Sequence, residues 1–461
     1  MKVAASAPST APHAHAHAHT HTHTHTSDDP EIDIAGLIER AQRHAFGYFE
    51  ANTDPASGLV FDSTQPDGPC SIAGLGMALT AYPIAVERGW MRRQQAVAIT
   101  LRTLRFLAEA DMSGSPHSTG YRGFYFHFLD MNTGTRAWRS ELSSIDTSFL
   151  IAGVLAVAAF FDHDNSHEAE IRGLGRLLAD RVDWAWMCNC DGAICHGWKP
   201  EHGFLRYHWV GYSEALLMYA LALGSEHHPV AASAWDEWLS GYRWRRIYGH
   251  EHLAAGPLFI HQYSHMWIDF RGIQDAFMRS KGIDYFENSR RATLVQREYA
   301  IRNPKHFRHY CENCWGWTAC DGPGPLQVVV DGRKRRLLGY AARGAPYGPD
   351  DGTVAPWASV ASLPFAPDVV IPTMQHIARM VRQHPNYMPG CSFNPTWDGG
   401  KGPPGWVSPW RFALNSGPVV LMIENWLSGR PWELMKREPS IRRGLERADF
   451  RGGWLSAPPP G

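Results

Sequence analysis

No hydrophobic run in this sequence is long enough to cross a bilayer. The longest, Phe149 to Phe161, is interrupted by Gly153, whereas a spanning helix needs roughly 20 apolar residues. Charge of one sign is missing too: Lys+Arg number 44 and Asp+Glu 45, for a formal net charge of -1. Such a balance gives no long-range attraction for a polyanion, which argues against nucleic acid and anionic membrane as partners and favours a neutral ligand. The segment Met1 to Thr26 carries no apolar core of roughly 7–15 residues like that of a secretory signal. A cytoplasmic location is the expectation from that absence, with periplasm or secretion as the alternative. A second cysteine pair at zinc-ribbon spacing is also lacking. Cys311-x-x-Cys314 stands alone, with Glu312 and Asn313 between its thiols, so buried thiols are expected rather than a structural metal.

What the chain does have is aromatic and helical. Aromatic residues make up 12% of it, with 19 Trp, and 44% is hydrophobic, enough for a large core. An alternating His run from His13 to His25 is low-complexity, and residues 1–30 are set aside as a disordered tail. From Ile34 onward, apolar residues recur at spacings of three and four. They mark about twelve helices: 34–49, 71–88, 91–110, 144–162, 166–187, 212–224, 230–241, 263–279, 284–302, 354–363, 367–384 and 413–427. A polar segment follows Arg430, and 449–461 is expected to be a flexible tail. Hairpins are expected around Asn132-Thr133-Gly134 and Asp331-Gly332. No linker-like stretch divides the helices, so 31–448 reads as one catalytic domain. Twelve alternating helices can close as six inner ones wrapped by six outer ones, an all-α (α/α)6 barrel with short hairpins at one rim.

In such an up-down arrangement the even-numbered helices begin at one rim, and the unusual residues cluster just before them. The loop and entry of the fourth helix hold His127, Asp130, Glu141 and Asp146; those of the sixth hold Tyr212 and Glu214. Ahead of and into the eighth come His261, Gln262, His265, Asp269 and Arg271. Glu312, Asn313, Trp315, Asp321 and Asp351 precede the tenth, and Trp397 the twelfth. Loops mounted on a rigid scaffold are where binding and catalysis usually sit.

Paired carboxyls among Trp and Tyr suit glycoside hydrolysis, in which one acid protonates the leaving oxygen and a second carboxylate activates water or attacks. Glu214 is the favoured acid, because the apolar Ala215, Leu216, Leu217 and Met218 beside it would raise its pKa. The plainer alternative is a first-turn Glu stabilised by the helix dipole. Glu141 and Asp146 are candidates for the second carboxylate, although Ser144 could cap the helix and leave Asp146 a favourable first-turn acid. Asp130, Asp321, Asp350, Asp351 and Asp398 are weaker candidates, each suited to an Asx turn. His261, His265 and Asp269 fall at helical spacing but lack the Glu of a zinc-protease motif, so they read as hydroxyl binders. The remaining rim residues are expected to bind substrate, and no metal or cofactor is called for.

These segments resemble the bacterial glucoamylase-like family that includes the endo-β-1,2-glucanases of glycoside hydrolase family 144. The resemblance rests on Glu141-Leu-Ser-Ser-Ile-Asp-Thr-Ser-Phe-Leu-Ile-Ala-Gly153, Gly211-Tyr-Ser-Glu-Ala-Leu-Leu-Met218 and His261-Gln-Tyr-Ser-His-Met-Trp-Ile-Asp-Phe-Arg-Gly272. It continues through Glu312-Asn-Cys-Trp-Gly-Trp317, Asp350-Asp-Gly-Thr-Val-Ala-Pro356 and Gly417-Pro-Val-Val-Leu-Met-Ile-Glu-Asn425. It implies an (α/α)6 barrel and an inverting endo-β-1,2-glucanase, with the general acid on Glu214 and the second acidic cluster on Glu141 and Asp146. A transglycosylase, an exo-acting enzyme and a non-catalytic glucan-binding protein are the alternatives. The chain departs from the family at Gly390-Cys391-Ser392, where relatives often carry an acid before the Phe-Asn pair, and at Asn415-Ser416, where they tend to have Asp-Gln.

Overall fold

Ser71 caps the first deeply buried helix, its hydroxyl accepting from the Gly74 amide, and helices of two kinds alternate from there. The computed structural model describes residues 33–189, 192–381, 392–399 and 405–457. The His-rich segment, Cys190, Gly390, Cys391 and Gly400 lie outside these. Four helices are buried on nearly every side: α2 (Ile72–Glu87), α4 (Ser144–Phe160), α7 (Leu216–Gly224) and α13 (Ala413–Leu427). Their sequences are apolar all round, which only an interior position satisfies. Others bury one face, among them α1 (Ile34–Asn52), α3 (Arg93–Glu109) and α5 (Ser166–Asp180). In α1 the buried stripe is Ile38, Ala41, Ala45 and Phe49, the three-and-four spacing of an amphipathic helix. From Ile34 onward the chain clusters as one unit.

The inner helices touch backbone to backbone. A methyl group on Gly153 of α4 would run into the backbone of Gly76 on α2, and one on Gly76 would run into the Phe149 carbonyl. Phe149 then stacks on Trp267 at 5.7 Å, and the indole nitrogen of Trp267 donates to Thr80 Oγ1 at 2.9 Å.

Several expected elements take another form. The eighth helix, expected over 263–279, is instead two 3-10 turns (Leu258–His261 and Tyr263–Met266), a strand at Ile273–Gln274 and α9 (Ala276–Lys281) once α6 (Trp184–Met187) and α8 (Ser233–Ser240) are counted. Gly272 at φ 71° interrupts it, and Asp275 starts a fresh helix by accepting from the Met278 amide. After α10 (Tyr285–Arg302), α11 (Pro356–Ala361) and α12 (Pro367–Val381), the segment beyond Arg430 forms α14 (Arg430–Lys436) and α15 (Pro439–Arg447). Gly444 of α15 and Gly224 of α7 allow those two helices to meet at backbone distance.

The part of the expected flexible tail that is described, 449–457, is structured. Arg451 and Gly452 pair with Gln274 and Ile273, and the buried Phe450 ring packs on Trp235, Phe270 and Tyr285. Arg442 adds bonds to the Trp454, Leu455 and Ala457 carbonyls, and the Trp454 indole donates to the Asp269 carbonyl. The Asp331-Gly332 hairpin has both turn residues at positive φ, between strands Leu326–Val330 and Arg333–Leu337, as a two-residue turn requires. No helix among the described residues is long and apolar enough to cross a membrane.

Candidate active site

The loops entering α2, α4 and α13 are laced together by short strand pairs and single backbone bonds. Cys70 and Ser71 pair with Leu129 and Phe128; Leu142 and Ser143 pair with Trp198 and Gly197; Ser63 bridges Phe412. The amides of Ile72, His127 and Ala413 donate to the carbonyls of His127, Glu141 and Asp62. Several loop segments are thereby held at the amino ends of the buried helices, where acidic residues gather.

Ser143, rather than Ser144, caps α4. Its hydroxyl accepts from the Asp146 amide at 3.2 Å and donates to the Asp146 carboxylate. Ser144 instead donates to the Cys195 carbonyl and receives the Trp209 indole. His127 stands between two acids, with Nδ1 3.0 Å from Glu141 Oε1 and Nε2 3.6 Å from Asp146 Oδ2. Burial pulls the imidazole down, but Asp146, Glu141 and Asp62 outweigh it and lift the pKa to about 9. The hydrogen bond with His127 holds Glu141 at about 2 against the cost of burial. At neutral pH this is an imidazolium bonded to the Glu141 carboxylate.

Glu214 lies in the turn two residues before α7 begins at Leu216, so it is not the dipole-stabilised first-turn acid of the alternative reading. Ser264 fixes this turn by donating its hydroxyl to the Glu214 carbonyl at 2.7 Å while accepting from the Leu217 amide at 3.0 Å. Burial, with a further push from the Asp146 charge, raises the Glu214 carboxyl to about 7. Asp62 joins the cluster from the loop before α2. Burial, with Asp146 adding to it and His127 opposing it, raises this acid to about 6. Sequence reasoning missed Asp62, which lies in the loop before the buried α2 but in a stretch without a pattern of its own.

Other expected site residues are placed elsewhere. Asp130 makes an Asx turn, accepting from the amides of Asn132 and Thr133. Gln262 is fully buried and donates to Ala358 O and Ser362 Oγ. His265 is buried against Ser289, and burial drives its pKa to about 3. Asp269 and Arg271 pair with each other, and Lys436 reaches Asp269 at 3.0 Å. They belong to the opposite end, where Arg430 of α14 meets Glu87 at the carboxyl end of α2. Helical spacing had suggested that 261–271 faces one rim, whereas the segment actually runs down the interior. Asp351 is consumed by an ion pair with the buried Arg343. Asp350 accepts from Tyr299, Tyr310 and Trp317. Trp315, Trp317 and Trp357 are core residues, and Glu312 is exposed beside a half-buried Asn313. Trp397 is half-buried, and Asp321 accepts from Ser408 at 2.7 Å. Tyr212 bonds His261 Nδ1 at 3.2 Å. The thiols of Cys311 and Cys314 are free, and among the described residues no three His, Cys, Asp or Glu side chains are grouped as a metal site.

The family model described as putative glucoamylase matches residues 206–439. An exo β-1,2-glucooligosaccharide sophorohydrolase (non-reducing end) of Parabacteroides distasonis is 27% identical over 450 residues, which is 89% of this chain. The chain spans only 57% of that relative's length. Among solved structures, a putative glucoamylase of Bacteroides uniformis superposes with a TM-score of 0.82 at 27% identity, over 92% of this chain and 99% of that one. An endo-β-1,2-glucanase of Chitinophaga pinensis gives a TM-score of 0.77 at 25% identity, over 91% and 99%.

Proposed function

Because the chain belongs to the putative glucoamylase family, we propose that it is a glycoside hydrolase acting on β-1,2-glucan, endo-acting and inverting, on an (α/α)6 barrel. The observation that carries the reading is a carboxyl raised to about 7, Glu214, electrostatically coupled to Asp146. Near neutral pH such a group is protonated in part and donates to a leaving oxygen, while an ionised partner activates water.

Glu214 is the proton donor. Asp146 is the carboxylate that takes a proton from the attacking water, and inversion would place that water on the opposite face of the sugar from the donor. Glu141, held at about 2 by its bond to His127, is too weak a base for that task. It positions His127, whose other ring nitrogen faces Asp146 at 3.6 Å. The two β-1,2-glucan-acting relatives above support the linkage. Exo action is the second reading, favoured by the activity of the Parabacteroides relative.

The test is product analysis with purified protein on β-1,2-, β-1,3-, β-1,4- and α-glucans, with NMR of the first-formed anomer. Oligosaccharides of mixed length from β-1,2-glucan, released with the α-anomer first, are expected. Disaccharide alone would replace endo with exo action, and a β-anomer would replace inversion with retention. Binding without cleavage would leave a glucan-binding protein.

A further inference from the structure

Trp138 and Arg139, two neighbouring non-glycine residues, both hold left-handed backbone, at φ 53° and 52°. That region is disfavoured for an L-residue, and a bulky side chain is rarely found there. The surroundings impose it. Arg136, with a side chain 1% exposed, pairs with Glu201 at 2.7 Å and donates to the carbonyls of Ser140 and Arg139. Lys199 holds the Arg139 carbonyl from outside at 3.0 Å.

What this clamped loop displays is an indole that is 66% exposed. Backbone strain works against folding, and residues held in such strain by their surroundings cluster at functional sites. The ring is also well placed. Trp138 lies 5.0 Å from Phe128, and Phe128 stacks at 4.0 Å on His127, the residue between Glu141 and Asp146. A line of rings therefore leads from the acids to the surface of the same hairpin.

We infer that Trp138 is a sugar-stacking platform that receives the apolar face of a pyranose unit remote from the bond being cut. The inference rests on the hydrolase reading above and deepens it. A glucan long enough to lie across the loop gains the contact, and a shorter one does not, so Trp138 sets a preference for chain length. The backbone clamp keeps the ring from folding back onto the protein, so little ordering is needed when substrate arrives.

The experiment compares Trp138→Ala, Trp138→Phe and Trp138→Gly on polymeric β-1,2-glucan and on purified oligosaccharides of increasing length. For Trp138→Ala, a loss of kcat/KM that grows with chain length to about tenfold is expected, expressed in KM rather than kcat. Trp138→Phe should recover most of it. Trp138→Gly should show the same loss while keeping or raising the melting temperature, because glycine tolerates this φ. A loss of equal size at every length, or a lowered melting temperature in Trp138→Gly without length dependence, would show that the residue is merely structural. If the unmodified protein cleaves none of these substrates, the hydrolase reading fails separately. Calorimetric titration of the same oligosaccharides then decides: weaker binding to Trp138→Ala upholds the platform, and equal or absent binding overturns it.

Discussion

His127 Nδ1 lies 3.0 Å from Glu141 Oε1, close enough that the imidazole and the carboxylate share a proton across a charge-assisted hydrogen bond. The other ring nitrogen faces Asp146 at 3.6 Å. One histidine thereby touches two acids, and the third, Glu214, holds its proton because it is buried, with a smaller push from Asp146. Neighbours thus hold Glu141 low and Glu214 high, the separation on which the proposed acid and base roles rest.

Glu214→Gln removes the proposed proton donor and keeps the side chain's shape. Initial rates on β-1,2-glucan should fall by about 10²–10⁴-fold, with oligosaccharide affinity retained in calorimetry. A variant that hydrolyses at the unmodified rate would refute the assignment of the acid.

Asp62 and Glu214 titrate near 6 and near 7, so activity should fall as pH rises through about 7 and change slope near 6. These values belong to a coupled cluster rather than to isolated groups. In Asp62→Asn the inflection near 6 should vanish while the alkaline limb stays. Superimposable profiles of kcat/KM against pH would exclude Asp62 from the working cluster.

The folded pKa of His127, about 9, lies above its ordinary 6.5, so its contribution to stability is complete below 6.5 and disappears as pH rises through 9. Glu141 runs the other way: at about 2 against 4.5, its contribution is complete above 4.5 and disappears as pH falls through 2. The melting temperature of His127→Gln should therefore lie below that of the unmodified protein near pH 6. The gap should close toward about pH 9. A gap that stays constant with pH would mean that His127 acts by packing alone.

Gly153→Ala places a methyl group against the Gly76 backbone and should cost about 1–3 kcal/mol or more by forcing α2 and α4 apart. Gly173→Ala on α5, where an added methyl meets nothing within 4 Å, should stabilise by about 0.5–1 kcal/mol. Denaturant unfolding of both variants checks the contrast. Equal effects would mean that the inner helices have room to spare.

Helix positions were legible because burial of one face or all faces writes itself into apolar spacing, as in α1 and α4. The polar loops before the buried helices were legible as breaks in that spacing, and Glu214 stood out by its apolar neighbours. The segment 261–271 misled, since spacing reports which residues share a face but not how deep that face runs. His265 and Gln262 share the apolar interior, and Asp269 emerges at the far end. Asp62 went unnoticed because Phe61-Asp62-Ser63 has no periodic pattern of its own; only pairing with Phe412 and proximity to His127 give it meaning.

From sequence alone came the helical class, the family and the carboxyls at the start of α4 and before α7, because apolar spacing and local motifs are properties of short stretches. Tertiary structure alone decided that His127 holds Glu141 ionised, which aromatic rings face water, and that Asp62 belongs with Asp146. Those outcomes depend on burial and on charges brought together from loops far apart in the chain, and no local pattern encodes either.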